Sequence, residues 1–177
     1  MVDSAQDGMN VREETVGDIT AIHEVEVAAF GQADEAELVD ALRRNGKLVI
    51  SLIAEEHGEI AGHIGFSEME TEPRLENYHI LGLAPVAVMP SKQKQGVGSA
   101  MITRGLMIAQ DRGYTHVVLL GEPLYYSRFG FLPARAFGIT NEYTESDEFM
   151  IKALGATGAT GMPTGVLMKY QPEFAGS

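Results

Sequence analysis

Two apolar runs enclose the segment that most restricts how this chain folds: Ile80-Leu81-Gly82-Leu83-Ala84, resuming after Pro85 as Val86-Ala87-Val88, and Val117-Val118-Leu119-Leu120. Between them lie Met89-Pro90, the turn Gly96-Val97-Gly98, and a stretch from Gly98 to Arg112 whose Ala100, Met101, Leu106, Ile108 and Ala109 suit a buried helix ended by Gly113. A strand, helix, strand succession of this length is a crossover between parallel strands, so the sheet is expected to be mixed, with the Val86 strand parallel to and near the Val117 strand. The second run is of the fully buried type. Pro85 inside the first marks an edge, a bulge or a place where the ladder opens.

The flanking sequence supplies more elements. A strand is predicted from near Met9 through Asn10-Val11-Arg12, and Ile19, Ile22, Val25, Ala29 and Phe30 recur at helical spacing after Asp18. A second helix is expected from about Asp34 to Arg44, with Ala36, Leu38, Val39 and Leu42 on one face and Asn45-Gly46 as its stop. Leu48 to Glu56 and Glu59 to Thr71 read as strands of an antiparallel hairpin closed by His57-Gly58. Beyond Leu120 come a short helix at Pro123 to Phe129 and strands around Phe131 to Ile139, Phe149 to Leu154 and Val166 to Tyr170; Gly155 to Gly165 reads as a small-residue loop.

Length and charge bound the function. The 177 residues, 45% hydrophobic, suffice for one packed domain, expected over 9–177 behind a flexible tail at 1–8 whose MVDSAQDG lacks the features of a secretory signal. No apolar run approaches the ~20 residues that span a bilayer, and a cytoplasmic location is the expectation. The net charge of −12 argues against a nucleic-acid binder. With no Cys, disulfides, thiolate metal sites and a cysteinyl acyl-enzyme are excluded. The charge is uneven: residues 1–90 hold 5 basic and 18 acidic side chains, whereas residues 91–112 hold 4 and 1. The positive island coincides with the glycine turn and its helix.

A glycine turn ahead of a helix aims backbone N–H groups at one point, where the helix dipole adds positive potential, and this makes a phosphate cradle. Gly96 and Gly98 lack the Cβ atoms that would block close approach, and Lys92 and Lys94 add cationic charge at the rim. A surface loop that merely starts a helix is the competing reading. A P-loop would need Lys before the hydroxyl, which Gly98-Ser99-Ala100 lacks; a dinucleotide fingerprint would need Gly or Ala where Met101 stands.

Gln93-Lys94-Gln95-Gly96-Val97-Gly98 matches the Gln/Arg-x-x-Gly-x-Gly/Ala signature of GNAT-type N-acetyltransferases, and LAPVAVMPSKQKQGVGSAMI followed by VVLLGEPLYYSRFGF resembles their bacterial YhbS-like branch. The resemblance covers roughly residues 9 to 170. It implies a single-domain α/β fold with a splayed, V-shaped mixed sheet flanked by helices. It further implies that acetyl-CoA is the acyl donor and coenzyme A the product, with no metal. The pyrophosphate would lie on the turn formed by Gln93, Lys94, Gln95, Gly96, Val97, Gly98, Ser99 and Ala100. Backbone groups of Val86, Ala87 and Val88 would pair with the pantetheine arm as an added strand, and the Val88 N–H would polarise the thioester carbonyl.

By the same resemblance, Tyr126, four residues before Gly130, falls on the family's general-acid position, from which a phenol protonates the departing thiolate. Tyr125 is the lesser candidate, and Arg128 is read equally as a phosphate ligand or a solvated helix residue. For the base that deprotonates the amine, Glu122 is a candidate, though Glu122-Pro123 also reads as a helix N-terminus; Glu26, Glu68, Glu70, His79 and water are others. The five histidines show no zinc-site spacing, and His63 and His79 are read as ordinary strand residues. The expected activity is direct acetyl transfer to a primary amine of a small molecule or peptide, with a non-catalytic acyl-CoA sensor as the alternative. Neither the acceptor, whose contacts would lie around 19–45, 67–77 and 140–165, nor pairing of two copies of the chain is fixed by these residues.

Overall fold

A computed structural model of the protein describes residues 8–155 and 161–176, so the tail expected at 1–8 and the middle of the 155–165 loop fall almost wholly outside the described residues. Along the chain come β1 (Met9–Glu13), α1 (Ile19–Phe30), α2 (Asp34–Arg44), β2 (Leu48–Glu56), β3 (Glu59–Glu68), β4 (Glu70–Glu72) and β5 (Ile80–Val88). They are followed by α3 (Val97–Asp111), β6 (His116–Leu120), α4 (Pro123–Tyr126), β7 (Leu132–Pro133), β8 (Ile139–Asn141), β9 (Phe149–Ala153) and β10 (Val166–Lys169). The fold class is the expected mixed α/β. Two compact units divide the chain: residues up to 65 with 85–105, and residues 66–84 with 106–176.

In the first unit the strands stand in the order β1-β2-β3-β5, with β1 antiparallel to β2 from Met9↔Glu56 to Glu13↔Leu52. His57 and Gly58 both take positive φ, 52° and 80°, the conformation of a two-residue hairpin turn whose twist matches the strands it joins. Ile50 to Ala54 and Ala61 to Gly65 are buried without alternation, as in strands covered on both faces. α1 buries Ile22 and Val25 and ends where Gly31, at φ 71°, returns its N–H to the Val27 carbonyl. α2 carries Asp34, Glu35 and Glu37 in its first turn and Arg43 and Arg44 in its last, charges that suit the helix dipole.

In the second unit the order is β5-β6-β9-β7, and β4-β10-β8 form a three-stranded sheet. β6 pairs antiparallel with β9 from His116↔Ala153 to Leu120↔Phe149. Ile80, Val118, Ile139, Phe149, Ile151, Val166 and Met168 form its core.

Two expectations are corrected. The stretch 59–71 is two strands, because β4 leaves its predecessor to pair with β10. The stretch 131–139 is not one strand: after Leu132–Pro133 it winds through a 3-10 turn, Ala134–Phe137, closed by Gly138 at φ 71°. The expected parallel pairing of the Val86 strand, β5, with the Val117 strand, β6, is present and runs from Ile80↔His116 to Gly82↔Val118. Pro85 does not end β5, which continues to Val88. Bonds from Met69 N–H to the Ile80 carbonyl and from Met89 N–H to the Ala61 carbonyl flank the β3–β5 pairing. Between them β5 advances nine residues (80 to 89) and β3 with its extension eight (61 to 69), so β5 carries a bulge, as expected around a proline that cannot donate.

Candidate active site

In the first unit, Ala87 is buried while Val86 and Val88 on either side of it are half-exposed, so the two valines are not core residues. β3 comes close to β5 here because residue 62 is glycine: a Cβ there would lie 2.9 Å from the Ala87 carbonyl oxygen and 2.8 Å from Met101 Cε. After β5 the chain makes a 3-10 turn, Pro90–Lys92, and the Gln93 amide donates to the Val88 carbonyl at 3.2 Å. The Gln95 amide donates to the Ser91 carbonyl at 3.1 Å, so both glutamines brace the loop from within.

Lys94 and Gly96 take φ of 62° and 87°, and a Cβ on Gly96 would meet nothing within 4 Å. The backbone at Gly96 is thus open for close approach. α3 begins at Val97, anchored by buried Val97, Met101 and Ile102, and its first regular bond runs from Ala100 N–H to the Gly96 carbonyl. The N-terminus of a helix carries partial positive charge and suits an anion, and here that end directly follows the open turn. The rim cations differ: Lys92 is paired with Glu56 at 2.8 Å, whereas Lys94 is exposed. The Lys92 ammonium also holds the Glu56 carboxyl below its ordinary range. These residues fit a diphosphate: open backbone, a helix N-terminus and one cation beside them.

In the second unit, Glu122 accepts from the Leu124 N–H at 3.4 Å and Pro123 occupies the first helical position, so the carboxylate caps α4. The Tyr126 ring lies against Gly121, where a Cβ would collide with it, and packs edge-on to Tyr125 and Phe131 at centroid distances of 4.9 and 6.1 Å. Burial, then the neighbouring Tyr125, pushes the Tyr126 phenol up to about 12, which keeps it protonated and able to donate. Arg128 stacks on Tyr125, 4.7 Å from the ring centroid.

The other candidates for the base are spread widely. Glu68 is exposed and accepts from the Tyr114 hydroxyl at 3.2 Å. Glu70 and His79 are exposed and line a cavity of about 650 Å³ with Met69, Arg74, Leu75 and Tyr78. Glu26 is wholly buried, its Oε1 2.6 Å from His63 Nδ1, while His63 Nε2 lies 2.8 Å from Ser51 Oγ. Burial raises the Glu26 carboxyl, with Glu35 adding to it, and burial lowers the His63 imidazole, with Arg43 adding to that. Both groups are therefore uncharged near neutrality: the carboxylic acid donates to Nδ1, and Nε2–H donates to Ser51.

Sequence reading did not find this chain. The signal was present in α1, where Glu26 shares a face with Ile22 and Val25, a stripe that a helix turns inward. No cluster of three or more His, Asp or Glu side chains suited to a metal occurs among the described residues, and none of their helices is long and apolar enough to cross a membrane.

Fold and turn together define a class, the α/β transferases with a glycine turn ahead of a helix that follows a central strand. Residues 10–134 match the acetyltransferase (GNAT) domain model, and the chain belongs to the GNAT acetyltransferase family; it is an acyl-CoA-dependent N-acyltransferase of that family. Among curated relatives it is 35% identical to the uncharacterized N-acetyltransferase YhbS of Escherichia coli K12 over 168 residues, 94% of this chain and 98% of that protein. The crystal structure of E. coli YhbS in complex with CoA superposes with a TM-score of 0.87 at 30% identity, covering 95% of this chain and 92% of that one. A GNAT family acetyltransferase from Brucella melitensis in complex with acetyl-CoA gives 0.76 at 34% identity, covering 94% and 97%.

Proposed function

We propose that this enzyme takes acetyl-CoA and passes the acetyl group directly to a primary amine of a small molecule or peptide, with both substrates bound at once. The observation that carries the donor assignment is the turn at Gly96, open at its backbone and leading directly into the N-terminus of α3. The relatives crystallised with CoA and acetyl-CoA support it. In this reading the amides of Val97, Gly98 and Ser99 hold the diphosphate, with Ala100 completing the first turn, Gln93 and Gln95 bracing the loop and Lys94 beside it. Backbone groups of Val86, Ala87 and Val88 carry the pantetheine amides beyond the bulge, where a strand can be added.

The chemistry then needs one bond made and one broken. The amine nitrogen attacks the thioester carbonyl carbon, the Val88 N–H stabilises the oxyanion, and the C–S bond breaks as the Tyr126 phenol gives its proton to sulfur. The proton shed by nitrogen restores the phenol through solvent. Glu122 is assigned to the cap of α4 rather than to the base, and Arg128 to the Tyr125 ring rather than to phosphate. Thiol release from acetyl-CoA across a panel of primary amines and short peptides tests the reading. Amine-dependent release is expected; binding of acetyl-CoA with no release on any amine would instead favour a sensor.

A further inference from the structure

The cavity of about 650 Å³ in the second unit is lined by the exposed residues Glu70, Arg74, Glu76 and His79, with Met69 and Leu75 as apolar lining. Its volume lies within the about 300–1,000 Å³ of small-molecule sites, and its exposed residues leave it open to solvent. None of those four side chains has a hydrogen-bond or ion-pair partner among the described residues. Other charges of the chain do pair: Arg12 with Asp18, Arg43 with Glu14, and Glu72, between the cavity's two acids in sequence, with Lys169 at 3.5 Å.

The backbone that carries these groups is held in place. The Leu75 N–H donates to Thr71 Oγ1 at 3.1 Å, the Tyr78 hydroxyl to the Gly161 carbonyl at 2.8 Å, and the His79 N–H to Thr115 Oγ1 at 3.0 Å. Glu70 is fixed by its place on β4, in register with Lys169 of β10. The wall is thus braced by its own bonds while its charged ends stay free. Met69 joins the cavity to the end of the β5–β6 ladder: its Sδ lies 2.9 Å from where a Cβ on Gly82 would stand, and that pairing ends at Gly82.

We propose that this cavity holds the α-ammonium and α-carboxylate head of a diamino acid, whose side-chain amine is the acetyl acceptor. This rests on the transferase reading above. A guanidinium binds a carboxylate through paired, charge-assisted hydrogen bonds, and no protein carboxylate occupies Arg74. Glu70 and Glu76 supply the opposite charge, which suits an ammonium ion. An amine held by carboxylates keeps its proton and is no nucleophile, so the nitrogen that reacts is a second one, on a methylene stem that Met69 and Leu75 can cover. That nitrogen, as the free base, forms the bond to the acetyl carbon and loses one proton, while the C–S bond breaks and sulfur takes up a proton as coenzyme A leaves.

The test titrates L-lysine into the full chain by calorimetry, beside cadaverine, which lacks the carboxylate, and ε-aminocaproate, which lacks the α-amine. Saturable binding of L-lysine is expected, with both analogues about tenfold weaker. Arg74→Ala should weaken L-lysine about tenfold and cadaverine by less than about twofold, a selectivity that misfolding would not produce. Arg74 is exposed and unpaired among the described residues, so the variant should melt within a few degrees of wild type. In thiol release it should raise the KM for L-lysine and leave kcat within about twofold. The proposal is overturned by no saturable binding of L-lysine, by equal affinity for cadaverine, or by unchanged L-lysine affinity in Arg74→Ala. Thiol release on other amines but not on L-lysine overturns it too. Absence of release on every amine, with L-lysine binding intact, counts against the transferase reading alone.

Discussion

Replacing Tyr126 by Phe removes one oxygen and little else. The ring keeps its edge contacts with Tyr125 and Phe131, and no hydrogen bond of the described residues depends on the hydroxyl. Stability should therefore change by no more than about 0.5 kcal/mol, the range of substitutions that break no buried contact. The rise in melting temperature caused by CoA should be the same in both proteins, because the cradle lies elsewhere in the chain. kcat should fall roughly 10- to 1000-fold, the scale of a lost general acid. The pH profile adds a second reading: a phenol at about 12 stays protonated as pH rises through about 10, where an ordinary tyrosine is half ionised. Wild-type kcat should accordingly show no loss of the acid near pH 10. Steady-state thiol release over a pH series supplies both numbers, and a Phe variant within twofold of wild-type kcat would refute the assignment of Tyr126.

Gly96→Val places a β-branched residue at φ 87° in the mouth of the cradle; a cost of about 1–2 kcal/mol and a roughly tenfold weaker CoA affinity are expected, the latter read as a smaller CoA-induced rise in melting temperature over a CoA series. Gly62→Ala drives a methyl against the Ala87 carbonyl and Met101, and should destabilise by about 1–3 kcal/mol in denaturant melts. Glu26→Gln replaces an uncharged acid by an uncharged amide. The raised Glu26 carboxyl contributes stability that is full below the ordinary carboxylate range and is lost as pH climbs toward its folded-state titration. Wild type should thus lose ground to the Gln variant between about pH 5 and 9 in paired melts; a gap that widens in favour of wild type would contradict the neutral pair.

Both N-terminal helices could be read from sequence because their own residues carry the pattern: inward apolar positions, Asn45-Gly46 and Gly31 as stops, and charges matched to the dipole. The glycine turn was equally plain, since positive φ at Gly96 is a local demand. What was misread depends on partners distant in sequence. Residues 59–71 have one continuous strand pattern, and only the arrival of β10 beside Glu70–Glu72 divides them. The β5–β6 ladder ends at Gly82, before Val86 to Val88 are reached. Glu26, Ser51 and His63 lie far apart in the chain, and their hydrogen bonds exist only once α1 packs on β2 and β3. Pairing between distant polar residues leaves no local periodicity to read.

The most direct test of the central claim is a crystal structure of this enzyme with acetyl-CoA. The account predicts the diphosphate on the amides of Val97 and Gly98, the pantetheine amides along Val86 to Val88, and the sulfur within hydrogen-bonding distance of the Tyr126 hydroxyl. A diphosphate bound away from the Gly96 turn, or a sulfur beyond reach of that phenol, would contradict it.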